Sequence, residues 1–210
     1  HHVSEVMPRM ERLFLETASS NPGIGIGRDA ACAPPSLRPF PYPFRAAVID
    51  AGSNAIRFAA AEFVNGRRTT RLAFKRAPVR LGRSAFDGGS LSPEAMDAAL
   101  EALSEFRARM DGLGIQGYRA VATSAVREAA NAADFLARVR ERTGLELDVI
   151  DSAEEARLVH LAVRDRIPMG KDVWLLGDLG GGSLEVSLAT REDILWTVSR
   201  ALGAVRLGAA

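Results

Sequence analysis

The chain has 210 residues, 47% of them hydrophobic and 25% charged, with a formal net charge of +1. That balance suits one large domain or two small ones, and it gives no general electrostatic reason to expect binding to DNA, RNA or a membrane. The single cysteine, Cys32, excludes an internal disulfide framework. No apolar run approaches the roughly 18 residues of a membrane span, so a cytoplasmic location is expected.

Residues 1–44 carry seven of the ten prolines and end in Pro39-Phe-Pro-Tyr-Pro-Phe44. Such spacing opposes regular helix and sheet, so a mostly irregular extension is expected, with one short helix over Glu5 to Ala18. From Arg45 the pattern sharpens. Ala46 to Ile49 reads as an apolar strand ending at Asp50, and Ala51-Gly52-Ser53-Asn54 as a turn. Ile56 to Phe63 forms a second strand, and Thr69 to Leu81 a third, with Pro78 at its end. Gly82 to Gly89 reads as a loop. Ser92 caps a helix with Pro93 at its first position, which runs to about Met110 and stops at Gly112 and Gly114. Tyr118 to Thr123 is a strand, and Asn131 caps a helix over Ala132 to Thr143. Leu145 to Ile150 is another strand. Ser152 caps a third helix, Ala153 to about Ile167, stopped by Pro168.

The stretch Trp174 to Ala189, WLLGDLGGGSLEVSLA, stands apart. An apolar run leads to Asp178, three glycines follow (Gly180, Gly181, Gly182), and residues then alternate. Leu184, Val186 and Leu188 fall on one side and Ser183, Glu185 and Ser187 on the other, the pattern of a half-buried strand with its apolar face inward. A run of glycines leaves backbone N–H groups uncovered, as in the nests that grip phosphate oxygens. Ile194 to Ser199 is a last strand. Strands alternating with helices imply a mixed α/β sheet. The segment Val48 to Phe58 also lies over Leu176 to Val186, with Asp50 on Asp178, Gly52 on Gly180 and Arg57 on Glu185. Two strand–turn–strand units of this kind could face each other across a cleft.

In order over Arg45 to Leu207 stand DAGSNAIRF, VRLG, LSPEAMDAALEAL, ATSAVREAANAADFLARV, VIDSAEEARLV, LLGDLGGGSLEVSL and LGAVRL. In this combination the chain resembles the exopolyphosphatase / guanosine pentaphosphate phosphohydrolase family of the actin-like superfamily. The resemblance implies an actin-like (ribonuclease H-like) mixed sheet flanked by helices. It implies a first domain over residues 45–170 and the start of a second, truncated one over 171–210, since family members continue well past LGAVRL. The implied reaction is hydrolysis of terminal phosphoanhydride bonds of inorganic polyphosphate, releasing orthophosphate with a divalent cation, usually Mg2+. Glu155 matches the family's base and Arg127 an arginine lining the site. Asp178 and Glu185 match the acidic residues that hold metal or position water. Ser53, Asn54, Arg57, Gly180, Gly181, Gly182 and Ser183 match the phosphate loops. Family members commonly pair as homodimers.

Other readings stand beside these. Ser152-x-x-Glu155 is also a capping box, with Glu155 reaching back to the Ser152 N–H; Glu154 is the other candidate base and reads as facing solvent. Arg127 could form a surface pair with Glu128, and Arg57 could be an ordinary exposed cation. His160 reads as packing or surface. With no His/Cys cluster no zinc site is expected, and no GxxxxGK[ST] is present. The same motifs would serve a guanosine pentaphosphate 5′-phosphohydrolase, or a phosphate- or nucleotide-binding module inactive through truncation.

Overall fold

The computed structural model describes residues 42–65 and 68–208. The proline-rich extension and its expected helix lie almost wholly outside them. The elements are β1 (Phe44–Ala51), β2 (Ile56–Asn65), β3 (Arg68–Ala77), α1 (Leu81–Gly88), α2 (Pro93–Gly112), β4 (Gly117–Ala122), α3 (Ser124–Glu128) and α4 (Ala132–Thr143). Then follow β5 (Asp148–Val149), α5 (Ser152–Arg164), β6 (Trp174–Leu179), β7 (Leu184–Ala189), β8 (Ile194–Arg200) and α6 (Ala204–Leu207). Among the described residues no helix is long and apolar enough to cross a membrane.

Five strands form the first sheet in the order β3-β2-β1-β4-β5. β1 runs antiparallel to β2 and parallel to β4, and β4 runs parallel to β5. This is the mixed, helix-flanked sheet expected from the sequence. One face carries the main core. Ala47, Ile49 and Ala51 of β1, Ile56 and Phe58 of β2, and Ala120 and Ala122 of β4 alternate inward, as period two requires. Helix α2 covers them with Met96, Ala99, Leu100, Leu103, Phe106 and Met110, a stripe at helical spacing. Phe106 stacks on Phe58 at 5.3 Å between ring centroids. Ser92 caps this helix as expected, its Oγ accepting from the Ala95 amide at 3.2 Å.

Several elements depart from expectation. Residues 82–89 are not a loop: Leu81 and Ala85 are buried on one side of helix α1, which ends at Gly89 in the left-handed region. The strand expected over Leu145 to Ile150 is only two residues long. Leu145 is fully buried in the core and its amide bonds the Thr143 hydroxyl, so the chain is still leaving α4 there. Asn131 precedes α4 without capping it by its side chain; its amide group instead spans the backbone of Leu91.

The second sheet holds β6-β7-β8, all antiparallel. Its polarity is the reverse of the sequence reading. Glu185, Ser187 and Ala189 are the buried positions of β7, whereas Leu188 is exposed. Helix α5 packs on this sheet. The polar side chains are satisfied laterally: Ser187 Oγ lies 2.8 Å from Thr197 Oγ1, and Ser199 Oγ donates to Glu185 Oε1 at 2.9 Å. Leu175, Leu179 and Trp196 stand exposed with Leu188 on the other face.

Candidate functional site

The two strand–turn–strand units have the same register. In the first, Asp50 pairs with Arg57 and Ala51 with Ile56. In the second, Asp178 pairs with Glu185 and Leu179 with Leu184. The sequence repeat is therefore also a structural one. What differs is charge. Arg57 Nη1 donates to Asp50 Oδ2 at 3.1 Å, so Arg57 is paired rather than an idle surface cation. Asp178 faces an acid instead, and like charges directly opposite on neighbouring strands are unfavourable. Burial raises the Asp178 carboxyl above its ordinary 3.8; Glu185 and Asp50 push it further, and Arg57 opposes them. Burial also raises Asp50, against the pull of Arg57.

The glycine turn is held from behind. The Gly182 carbonyl accepts from the Gly203 amide, that of Gly180 from Ala204, and that of Gly181 from Val205 and Arg206. These donors open helix α6, which is the LGAVRL segment. Arg206 adds a bond from Nε to the Gly182 carbonyl at 3.0 Å, lies over the Phe86 ring and reaches Glu128. With the carbonyls so engaged, the N–H groups of Gly181 and Gly182 have no partner among the described residues. The turn lies against the first one: a Cβ on Gly181 would come 3.0 Å from Ser53 Cβ and 3.4 Å from the Asn54 amide nitrogen. At Gly182 a Cβ would collide with Ser124 Oγ and Phe86 Cζ, so this approach requires glycine. Ser53 Oγ lies 2.9 Å from Ser124 Oγ, and both serines are buried. Ser124 was not singled out from the sequence, although it stands three residues before Arg127 in the same segment. Ser183, likewise buried, closes the turn, its carbonyl accepting from the Gly180 amide.

The opposite wall is the start of α5. Its cap is Asp151, not Ser152: Asp151 Oδ1 accepts from the Glu154 amide at 2.8 Å. Glu155 is thereby freed from the capping box and sits on the fourth residue of the helix. Arg127 Nη1 donates to Glu155 Oε2 at 2.9 Å and to the Ile150 carbonyl at 2.6 Å. Arg127 is therefore tied to Glu155, while Glu128 pairs with Arg206. Burial raises the Glu155 carboxyl above its ordinary 4.5; Arg127 draws it down, and Glu185 and Asp178 push it up. The three carboxylates thus feel one another. Glu154 does not simply face solvent. Arg157 above all, and Arg119 with it, hold its carboxyl below the ordinary range. His160 is buried, and its Nε2–H donates to the Thr190 carbonyl at 2.7 Å, tying α5 to the β7–β8 turn.

The donors present suit a hard cation of limited protein ligation. Asp178 and Glu185 supply carboxylate oxygens in a mutually repelling pair. Among the described residues no group of three or more His, Cys, Asp or Glu could surround an ion. Magnesium is commonly held by one or two carboxylates, its own waters and substrate phosphates. Free amides and hydroxyls on the facing turns add anion-binding capacity.

Residues 61–209 match the model of the Ppx/GppA phosphatase family. Exopolyphosphatase 1 of Mycobacterium tuberculosis is 36% identical over 163 residues, which cover 78% of this chain and 47% of that protein. An exopolyphosphatase from Cytophaga hutchinsonii superimposes with a TM-score of 0.74 at 34% identity, covering 78% of this chain and 52% of that one. The Aquifex aeolicus member of the Ppx/GppA family gives 0.69 at 29% identity, with coverage of 78% and 53%. The chain spans about half the length of these relatives.

Proposed function

Because the chain belongs to the Ppx/GppA phosphatase family, we propose that it carries the hydrolytic centre for terminal phosphoanhydride bonds of inorganic polyphosphate, releasing orthophosphate. The observation that carries this reading is the Asp178–Glu185 pair. Two like charges stand in register at the mouth of a glycine turn with free amides, within electrostatic reach of Glu155. Such repulsion is relieved by a cation with a phosphate chain attached. Mg2+ held by Asp178 and Glu185 would neutralise charge on the phosphoryl oxygens. The amides of Gly181 and Gly182 and the hydroxyl of Ser183 would hold the terminal phosphate, with the Gly180 carbonyl anchoring the turn. Ser53 and Asn54 would meet it from the facing turn, and Arg57 would orient Asp50.

Glu155 is the base. Its carboxylate accepts a proton from water as the water oxygen bonds to the terminal phosphorus; the bond from that phosphorus to the bridging oxygen breaks, and the oxygen leaves with the electron pair on the shortened chain. Arg127 positions Glu155 and favours its ionised form. The similarity to exopolyphosphatases supports polyphosphate as the substrate. The test measures orthophosphate release from polyphosphate and from guanosine pentaphosphate, with and without magnesium, by the 210-residue chain and by Glu155→Gln. The expected result is magnesium-dependent release that falls by about 10²–10⁴-fold in the variant. Equal release by both proteins removes Glu155 from the chemistry, and preference for guanosine pentaphosphate moves the substrate assignment.

A further inference from the structure

The VRLG segment, Val79 to Gly82, has no part in the centre described so far, yet it is bonded to it. The Arg80 amide donates to the Asn54 carbonyl at 3.2 Å and the Gly82 amide to the Ser53 carbonyl at 2.8 Å. Residues 79–82 thus follow the outer rim of the first turn. Arg80 holds φ 58, ψ 44, and is the non-glycine residue with positive φ among the described residues. Nothing local favours arginine in this left-handed conformation, and such strain concentrates at ligand-binding positions. One strand back, Arg76 pairs in register with Arg57. Residues directly opposite share a face, so two guanidinium side chains stand together at the sheet end that bears the turn, an unfavourable placement without an anion. Arg57 has Asp50 as its partner. Arg76 and Arg80 are exposed and have no acidic partner among the described residues. Residues 71–83 hold Arg71, Lys75, Arg76, Arg80 and Arg83 and no Asp or Glu.

We propose that Arg76 and Arg80 form a second phosphate-binding position beside the first turn, taking the next units of a linear phosphoanhydride chain whose terminal unit lies at the glycine turn. This rests on the phosphoanhydride reading above and gives it a chain-length dependence. A substrate of two or three phosphates fills the glycine turn alone, whereas a longer chain also engages the arginine rim. Planar guanidinium groups suit such non-bridging oxygens.

The test uses the Glu155→Gln protein, so that binding is read without cleavage. Affinity for inorganic triphosphate and for long-chain polyphosphate is measured with and without Arg76→Gln and Arg80→Gly. Long-chain affinity is expected to fall roughly tenfold per arginine with little change for triphosphate. The salt dependence should also flatten by about 0.7–1 in log–log slope per arginine. Arg80→Gly is expected at the same time to raise the melting temperature, because glycine accepts the left-handed conformation. Gain of stability with loss of long-chain binding is a combination that a purely structural role would not give. Unchanged long-chain affinity, equal weakening for triphosphate, absence of long-chain binding by the parent protein, or an equal loss of binding to single-stranded RNA would each overturn the proposal. If the wild-type chain releases no orthophosphate but long-chain binding still depends on both arginines, the hydrolytic reading fails and the rim position stands.

Discussion

At the scale of single residues, charge placement gives the sharpest expectations. Glu155 is raised by burial and by its acidic neighbours and lowered by Arg127. As the proposed base it would work only when ionised, so the acidic limb of the pH–rate profile should lie above 4.5. Arg127→Met removes the lowering influence and should move that limb to higher pH; a profile that keeps its position would show that Arg127 does not set the ionisation. Asp178 gives a test on stability. Its folded-state pKa is raised, so its contribution is fully present when it is protonated at low pH and is lost as pH rises through that raised value. Asp178→Asn should therefore melt higher than wild type near neutrality, with the gap closing as pH falls, while orthophosphate release drops. A lower melting temperature near neutrality would mean that this carboxylate is part of the scaffold.

At the scale of elements, the N-terminus of α5 decides where Glu155 points. Asp151→Ala removes the side-chain cap and should cost about 1 kcal/mol, whereas Ser152→Ala should stay within about 0.5 kcal/mol; chemical denaturation separates the two. Ser152 was expected as the cap and Asp151 takes that place; the choice was not legible because it depends on Arg127, which bonds both Ser152 and Glu155. Helix ends set by local rules were legible. Ser92-Pro93 opens α2, and Gly144, at φ 67, closes α4. Helix α1 was hidden because its glycines imitate loop punctuation, and α3 because five residues are too few to show a period. The Asp178–Gly182–Glu185 spacing marked the second hairpin from sequence alone. Which face of β7 would be covered was not written locally, since alternation gives two faces and the docking of α5 selects one.

At the scale of the whole molecule, the centre exists only because distant segments converge. Ser53, Ser124, Gly182 and Arg206 meet across two sheets, and no local rule links them. The same assembly leaves the outer face of the second sheet exposed at Leu175, Leu179, Leu188 and Trp196. Large exposed apolar patches promote association. The 210-residue chain should therefore self-associate with rising concentration, and Leu175→Lys with Leu188→Lys should suppress this in light scattering. Unchanged association would place the contact elsewhere.

The two hairpins also behave as a duplicated part in which one position has changed sign. Where Arg57 stands, the copy neutralises itself and is a permanent scaffold. Where Glu185 stands, the copy folds with an unbalanced charge and is one half of an electrostatic couple. On the proposed reading its counter-charge comes from a bound cation, which would make folding and occupancy a single equilibrium. Heat resistance should therefore rise with the concentration of magnesium and polyphosphate by the logarithmic law of ligand linkage. That rise would be carried chiefly by the second hairpin, where Asp178 and Glu185 stand opposite each other.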